Sequence, residues 1–366
     1  MNMIIFSSLD SLILYLLVFT IVALFLVLDK NKYRIKFSML VIIALSILIF
    51  ISTFRYSVGT DYFNYKRAMD SQQNINLLNY IQENGIIEIG NYFTNKLGNL
   101  FNEYNVVLAI RAMLTVITIY IAIWSHKEKL SISIAMFLFM CIYFPMSLNL
   151  STQFIAICIV AISYKYIFEK NIMKFILTIF IASLFHTTAL LVFPIYFLWN
   201  KNKDISISKV RIILSILLCI FIVKNIRVIL ENISEIDIFS SYSVYSTVNV
   251  NGNNRDIYLK ILLFLIVFIF KDALIKHDNR NRLYILLILF NLIIGLSGSS
   301  SPWIKRMGLY FEITQIFILP GFIKILKNNK EKNLVGYTIC MYAIGYFTLV
   351  YYILRQANVI PYRIMF

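Results

Sequence analysis

Apolar runs long enough, or nearly long enough, to cross a bilayer recur along this chain, and short cationic clusters separate them. A hydrocarbon core about 30 Å thick needs roughly 20 mostly apolar residues in a helix. Runs that meet or approach that length are 12–28, 37–54, 106–124, 132–148, 154–167, 210–230, 257–270, 283–297, 308–325 and 334–354. Lipid offers no water to unpaired peptide groups, so each run is predicted to be a helix. Composition agrees: 60% of residues are hydrophobic, 14% are charged, and the mean hydropathy is +0.78. A soluble domain is about half apolar and a quarter charged. The expected fold class is an all-α polytopic membrane protein, one integral domain over residues 1–366 with about ten spanning helices. Residues 1–20 lack a cationic leader and a small-residue cleavage site, so the first run is read as a retained span.

The 34 Lys and Arg residues outnumber 18 Asp and Glu, for a net charge of +16. Nucleic acid does not follow, because the cations sit in short clusters between apolar runs rather than along one basic face. One set of loops carries Lys30, Lys32, Arg34 and Lys36, then Lys127 and Lys129, then Lys165, Lys170 and Lys174. The same set continues at 201–211, 271–282 and 324–332. The positive-inside rule puts these loops in the cytoplasm and both termini outside. Residues 172–199 have such clusters on both flanks, so a single crossing, as one long helix bent at Pro194, would break that rule. They are predicted to form a helical hairpin with arms 172–184 and 189–199, turning at Phe185-His186-Thr187-Thr188.

Segments 55–105 and 231–256 are too long for plain connectors and read as extracytoplasmic loops with a role of their own. Within the first, Ile89, Phe93, Leu97, Leu100 and Phe101 have helical spacing, as in an amphipathic helix at the membrane interface. Cys141, Cys158, Cys219 and Cys340 fall inside apolar runs without metal or redox spacing, and read as small buried hydrophobes.

Charged residues inside or beside apolar runs need a reason. The string Phe54-Arg55-Tyr56-Ser57-Val58-Gly59-Thr60-Asp61-Tyr62-Phe63-Asn64-Tyr65 closes the second span. Gly59-Thr60 reads as a turn and N-cap, which puts Asp61 in the first turn of a helix and on one face with Tyr65. On this string alone the plainer reading is preferred: Arg55 snorkels to headgroups and Asp61 complements a helix dipole. Arg111 lies in the third span and Glu312 in the tenth, and the sequence does not settle whether they pair. His186 sits at the proposed hairpin turn, as apt for a hydrogen-bonded structural role as for chemistry. Trp303, Lys305 and Arg306 enter the tenth span from the side that should be cation-poor, and Arg355 and Arg363 add further cations there. Together they outline an anionic-ligand site on the outer face. No Walker A, HExxH, GxSxG or metal-spaced carboxylate motif occurs, so no metal or nucleotide cofactor is expected.

Taken in order, several of these strings resemble the EpsG-like, Wzy-type polysaccharide polymerases. The matches are Phe54-Arg55-Tyr56-x-Val58-Gly59-Thr60-Asp61-Tyr62-x-x-Tyr65, Glu88-Ile89-Gly90-Asn91-Tyr92, Gln153-Phe154-Ile155-Ala156-Ile157, Ala182 to Leu190 around His186, Arg306-Met307-x-x-Tyr310-Phe311, and Pro361-Tyr362-Arg363. Many relatives carry Arg before the Gln at the fifth span; Thr152 stands here, which leaves an anion contact to be supplied elsewhere, with Arg111 the candidate.

The resemblance implies a glycosyltransferase of GT-C-like architecture in the bacterial plasma membrane. Such an enzyme polymerises undecaprenyl-pyrophosphate-linked oligosaccharide repeat units into capsule, O-antigen or exopolysaccharide at the outer face. The lipid bilayer and the lipid-linked oligosaccharides are then its partners, with the flippase and chain-length regulator of the same pathway beside them. A base must take a sugar hydroxyl proton and cations must hold the leaving diphosphate. Asp61 or His186 is expected as the base, with Asp61 preferred. Arg55, Lys305 and Arg306 are expected to hold diphosphate, with Arg111, Arg355 and Arg363 as further candidates. Tyr62, Tyr65 and Trp303 are expected to stack on sugar faces, and Glu88 is expected among the substrate-binding residues. Two other classes fit parts of the pattern: a lipid-linked oligosaccharide flippase, which needs the cations but no base, and a membrane O-acyltransferase using His186.

Overall fold

Ser7 and Ser38 open the first two long helices, their hydroxyl oxygens accepting the N–H of Asp10 (3.1 Å) and Val41 (3.4 Å). These helices are α1 (Ser8–Leu28) and α2 (Met39–Thr53). A computed structural model describes residues 3–31, 33–84, 88–199, 257–297 and 302–365. The predicted span 210–230, the loop 231–256, the cations at 201–211 and Cys219 lie outside the described residues.

The chain continues through α3 (Tyr62–Ser71), α4 (Leu77–Asn84) and α5 (Ile89–Phe101), then α6 (Tyr104–Trp124). Next come α7 (Ile132–Ile142), the short α8 (Phe144–Asn149), α9 (Ser151–Phe168) and α10 (Ile172–Ser183). A 3-10 helix, Thr187–Leu198, follows α10. The later part holds α11 (Ile257–Ile269), α12 (Lys271–His277), α13 (Asn281–Ser297) and α14 (Pro302–Glu312). It ends with α15 (Gln315–Ile318), α16 (Gly321–Ile325) and α17 (Asn329–Phe347), the last running on into a π-helical turn at Thr348–Ile353.

Among the described residues five helices are long and apolar enough to cross a membrane: Ser8–Leu28, Tyr104–Trp124, Ser151–Phe168, Lys305–Ile325 and Asn329–Ile353. The chain is an all-α, multi-pass membrane protein. One predicted span is not a single helix. Run 132–148 divides into α7 and α8, since Pro145 has no N–H to continue the α7 ladder. Run 308–325 lies within the span Lys305–Ile325, with local turns at 313–314 and 319–320 separating α14, α15 and α16.

Burial sorts the helices by neighbour. Side chains of α7 are buried all round, as expected for a helix wrapped by others. α1 instead turns Leu9, Ile13, Leu17, Leu24 and Leu28 outward, a face suited to lipid. α6 packs on α2, α5 and α9; α9 packs on α10 and α14; α7 packs on α1 and α17; and α13 packs on α11 and α14.

The two ends of this bundle differ in charge. At one end Lys127 Nζ donates to the Tyr33 carbonyl (2.5 Å), and Lys324 lies 5.8 Å from the Tyr33 ring centre. His277 Nε2 is 3.3 Å from the Lys129 carbonyl, and Arg280 sits 5.7 Å from the Phe168 ring centre. Described cationic loops thus gather on a single face. The segment 172–199 starts and finishes there. Its arms run antiparallel, with Phe175 5.1 Å from Tyr196, and Trp199 returns to within 5.0 Å of Phe168. The bend at Leu184-Phe185-His186 lies at the opposite end. The second arm is 3-10 rather than α and contains Pro194.

At that opposite end the chain's first and last described segments form an antiparallel ribbon, β1 (Met3–Ile5) with β2 (Arg363–Met365). Helices α3, α4 and α5 cover the same end. α5 is amphipathic in the expected sense: Phe93, Leu97, Leu100 and Phe101 are exposed, while Gly90, Thr94, Asn95 and Gly98 face inward.

Candidate functional site

The string 54–65 divides into a structural half and a half that faces a cavity. From Phe54 to Thr60 it is laddered to the end of the chain. Tyr56 N–H donates to the Arg363 carbonyl (2.9 Å), Gly59 N–H to that of Asn358 (3.0 Å), and Met365 N–H to that of Phe54 (3.0 Å). Tyr362 locks this ladder from below. Its hydroxyl donates to the Ile51 carbonyl (2.7 Å), and its N–H donates to Ser11 Oγ (2.8 Å).

Arg55 neither snorkels nor faces the cavity. It is 2% exposed and donates to the Ser52 carbonyl (2.6 Å), Ser52 Oγ (2.9 Å) and the Leu148 carbonyl (3.1 Å). It therefore caps the C-terminal end of α2, where carbonyls lack helical partners and the dipole favours a cation. Arg363 donates to Ser57 Oγ (3.0 Å) within the ladder, and Arg355 is exposed beside the Tyr352 ring (5.0 Å). Tyr62 is buried edge-on against Tyr104 (5.2 Å). None of these four lines the cavity.

Thr60 is not the N-cap that its position suggests. Its hydroxyl donates to Asn149 Oδ1 (2.8 Å), which also accepts the Asp61 N–H (2.9 Å). Gly59 has φ +98°, and a Cβ there would stand 2.9 Å from the Leu148 carbonyl oxygen. The turn can therefore close on α8 only with glycine. Asp61 takes the N-cap position of α3 without bonding any backbone N–H from its side chain, and its carboxylate faces the cavity.

The cavity has a volume of about 410 Å³. Asp61, Tyr65, Glu88, Arg111, His186 and Arg306 line it together, from α3, the start of α5, α6, the bend after α10, and α14. Sequence reading singled out all six. It gave no role to the neutral polar wall of Asn64, Gln72, Tyr80, Asn91, Asn95 and Thr188, whose amides and hydroxyls look like ordinary loop or helix-surface polarity, and it marked Thr152 only as a missing anion contact. Lys305 is not among the lining residues, and the Trp303 ring lies outside the described side chains.

Glu88 and His186 meet because the entry to α5 is bonded to the exit of α10. Glu88 N–H donates to the Ser183 carbonyl (3.3 Å), Gly90 N–H to that of Leu184 (2.7 Å), and Asn91 Nδ2 to that of Phe185 (3.1 Å). Three successive carbonyls at the end of α10 thereby gain donors. Glu88 itself is left-handed, with φ +67°. Its Oε1 accepts the Thr187 N–H (3.1 Å) and hydroxyl (3.0 Å), and stands 3.1 Å from His186 Nδ1. Burial pushes the Glu88 carboxyl up, but the hydrogen bonds from His186 and Thr187 and the electrostatic attraction of His186 outweigh it, leaving the group below the ordinary carboxylate range. With the Nδ1 proton aimed at Glu88, the His186 Nε2 lone pair is the free one.

Two guanidinium groups complete the site. Arg111 is 3% exposed; Nη2 donates to Asn95 Oδ1 (2.9 Å), Nη1 to Ser151 Oγ (3.3 Å), and its plane lies 4.9 Å from the Tyr65 ring centre. It does not pair with Glu312, which binds Lys260 instead (2.9 Å). Arg306 places Nη2 3.9 Å from Asp61 Oδ2, and its own carbonyl accepts Gln153 Nε2 (3.1 Å). Thr152 and Gln153 belong to the first turn of α9, so a helix N-terminus with its partial positive charge also borders the cavity.

No curated protein and no solved structure matches this sequence. A family model described as the EpsG family matches residues 38–364, nearly the whole chain and every part of the cavity. The chain belongs to the EpsG family, a Wzy-like family of polysaccharide polymerases.

Proposed function

We propose that the protein is a membrane glycosyltransferase that joins undecaprenyl-pyrophosphate-linked repeat units in this cavity, at the outer face of the bacterial plasma membrane. One observation carries the reading. A carboxylate-oriented imidazole, two guanidinium groups, a helix N-terminus and a wall of amides and phenols share one chamber of about 410 Å³. That lies within the roughly 300–1,000 Å³ of small-molecule sites. The family membership supports the reaction class, and the cationic clusters at the far end support the orientation.

In the proposed step a sugar hydroxyl of one unit gives its proton to His186 Nε2 while its oxygen attacks the anomeric carbon of another. The bond from that carbon to the phosphate oxygen breaks, and its electron pair leaves with the lipid diphosphate. Glu88 holds the imidazole in the required tautomer and steadies the imidazolium that forms. Arg111, Arg306 and the α9 N-terminus oppose the charge growing on the diphosphate. Arg111 answers the contact left open by Thr152, because both line the same cavity. Support for His186 rather than Asp61 as base is its bond to Glu88 (3.1 Å), whereas Asp61 faces Arg306 (3.9 Å) and is assigned to orienting it.

The test is chain elongation by purified protein in lipid vesicles supplied with lipid-linked repeat units. His186→Gln is expected to lose about 10²- to 10⁴-fold in rate, the usual worth of a general base. Asp61→Asn is expected to lose less. Full elongation by His186→Gln overturns the assignment.

A further inference from the structure

Lys260, Asn291 and Glu312 form a buried polar cluster in the part of the bundle that holds α11, α13 and α14. Lys260 Nζ donates to Glu312 Oε2 (2.9 Å) and to Asn291 Oδ1 (3.2 Å). Lys260 is 7% exposed, Asn291 1% and Glu312 3%. Two glycines make room for it. A Cβ on Gly295 would stand 3.3 Å from Lys260 Cδ, and one on Gly308 would stand 2.7 Å from Asn291 Oδ1. The chain thus gives up side chains on α13 and α14 where the ammonium and the amide must pass.

Such a cluster is a poor way to gain stability. Desolvating two charges costs about as much as their attraction returns, and apolar residues of like volume often serve as well or better. What an ion pair does supply is one defined register between helices, because sliding by a turn would leave a charge unpaired. The register in question belongs to α14, which also carries Arg306. That helix is gripped on its other side through its carbonyls: Gln153 donates to Arg306 (3.1 Å), Tyr164 to Tyr310 (2.6 Å) and Tyr143 to Glu312 (2.7 Å). Tyr310 OH lies 3.0 Å from Thr188 Oγ1, beside the bend that holds His186.

We propose that Lys260, Asn291 and Glu312 are positioning residues that fix the depth of α14 and so set Arg306 against the diphosphate of the lipid-linked substrate. The proposal rests on the reading of the cavity given above. Lys260 acts as the hub: one ammonium ties α11 to both α13 and α14, so no two of the three helices can slide without breaking a charge contact.

The deciding variant is Lys260→Met/Glu312→Leu in the full chain, reconstituted in vesicles, which removes both charges and leaves none unpaired. Its melting temperature is expected to match or exceed that of the wild type. Its kcat, and its affinity for undecaprenyl pyrophosphate without acceptor, are each expected to fall on the order of 10- to 100-fold, the cost of an ångström-scale misplacement. In an Arg306→Ala background the same double change should cost less than about 2-fold more, because it acts through that guanidinium. Should that variant not fold, Lys260→Met/Glu312→Gln, which also leaves no charge unpaired, is read against the same expected outcomes. Wild-type kcat and affinity in a folded variant overturn the proposal. So does a loss that multiplies undiminished onto Arg306→Ala. Wild-type protein that neither binds the diphosphate lipid nor elongates chains would instead overturn the reading of the cavity.

Discussion

Glu88 concentrates more of the site's order than any other side chain, since one of its oxygens faces three donors from His186 and Thr187. Its carboxyl lies below the ordinary range, so folding favours the ionised form. The sign follows from linkage. The unfolded chain binds the proton more readily, and the stabilisation is complete above the unfolded value of about 4.3. It is lost as the pH falls through the depressed folded value. Glu88→Gln is therefore expected to melt below the wild type at neutral pH, by a margin that closes as the pH falls below about 4.3. Thermal unfolding of both proteins across that range measures it; a margin that does not shrink as the pH falls below about 4 would show that it does not come from an ionised Glu88. Elongation by Glu88→Gln should drop on the order of 10²-fold or more even at neutral pH, because the imidazole loses its orienter.

At the scale of elements, the site exists because α5 and the end of α10 are bonded edge to edge, and Gly90 permits the approach. A Cβ there would stand 2.9 Å from the Leu184 carbonyl oxygen and 2.8 Å from the Phe185 ring. Gly90→Ala is expected to cost about 1–3 kcal/mol, the usual range for overpacking. Because the clash falls on the residue before His186, elongation should fall more than stability does, which paired melting and rate measurements will show. The close approach was not visible in the sequence, where the string holding Gly90 and the one around His186 stood as separate motifs. What could be read was whatever depends on local pattern. Apolar runs marked helices such as α1, α6 and α9, and helical spacing marked α5. Run 308–325 marked the span Lys305–Ile325 but not its local turns, because hydropathy averages over them. Arg55 was misassigned because its partners, Ser52 and the distant Leu148 carbonyl, lie on two different helices. The neutral wall of the cavity escaped because an Asn that faces a ligand and one that faces water look alike until the chain is folded.

For the whole molecule, the polarity of the bundle and the chemistry of the cavity have to agree. Cationic loops resist transfer across the membrane during insertion, so the end that carries Lys127, Lys324 and Arg280 should remain in the cytoplasm. The cavity at the other end must then open to the compartment in which sugar-bearing lipids are exposed. The native thiols leave this open to direct measurement: Cys141 and Cys158 are buried and Cys340 is half-buried, so substituting all four native cysteines gives a silent background. Asn74 is exposed beyond α3 at the cavity end, and Lys330 is exposed at the start of α17 at the cationic end. In intact cells a membrane-impermeant maleimide is expected to label Asn74→Cys and to spare Lys330→Cys, which should react only after the membrane is opened. The reverse pattern would point the cavity at the cytoplasm. Arg111, Arg306 and His186 would then face a pool of nucleotides and inorganic phosphate rather than exported lipid-linked units, and the polymerase reading of the cavity would fail.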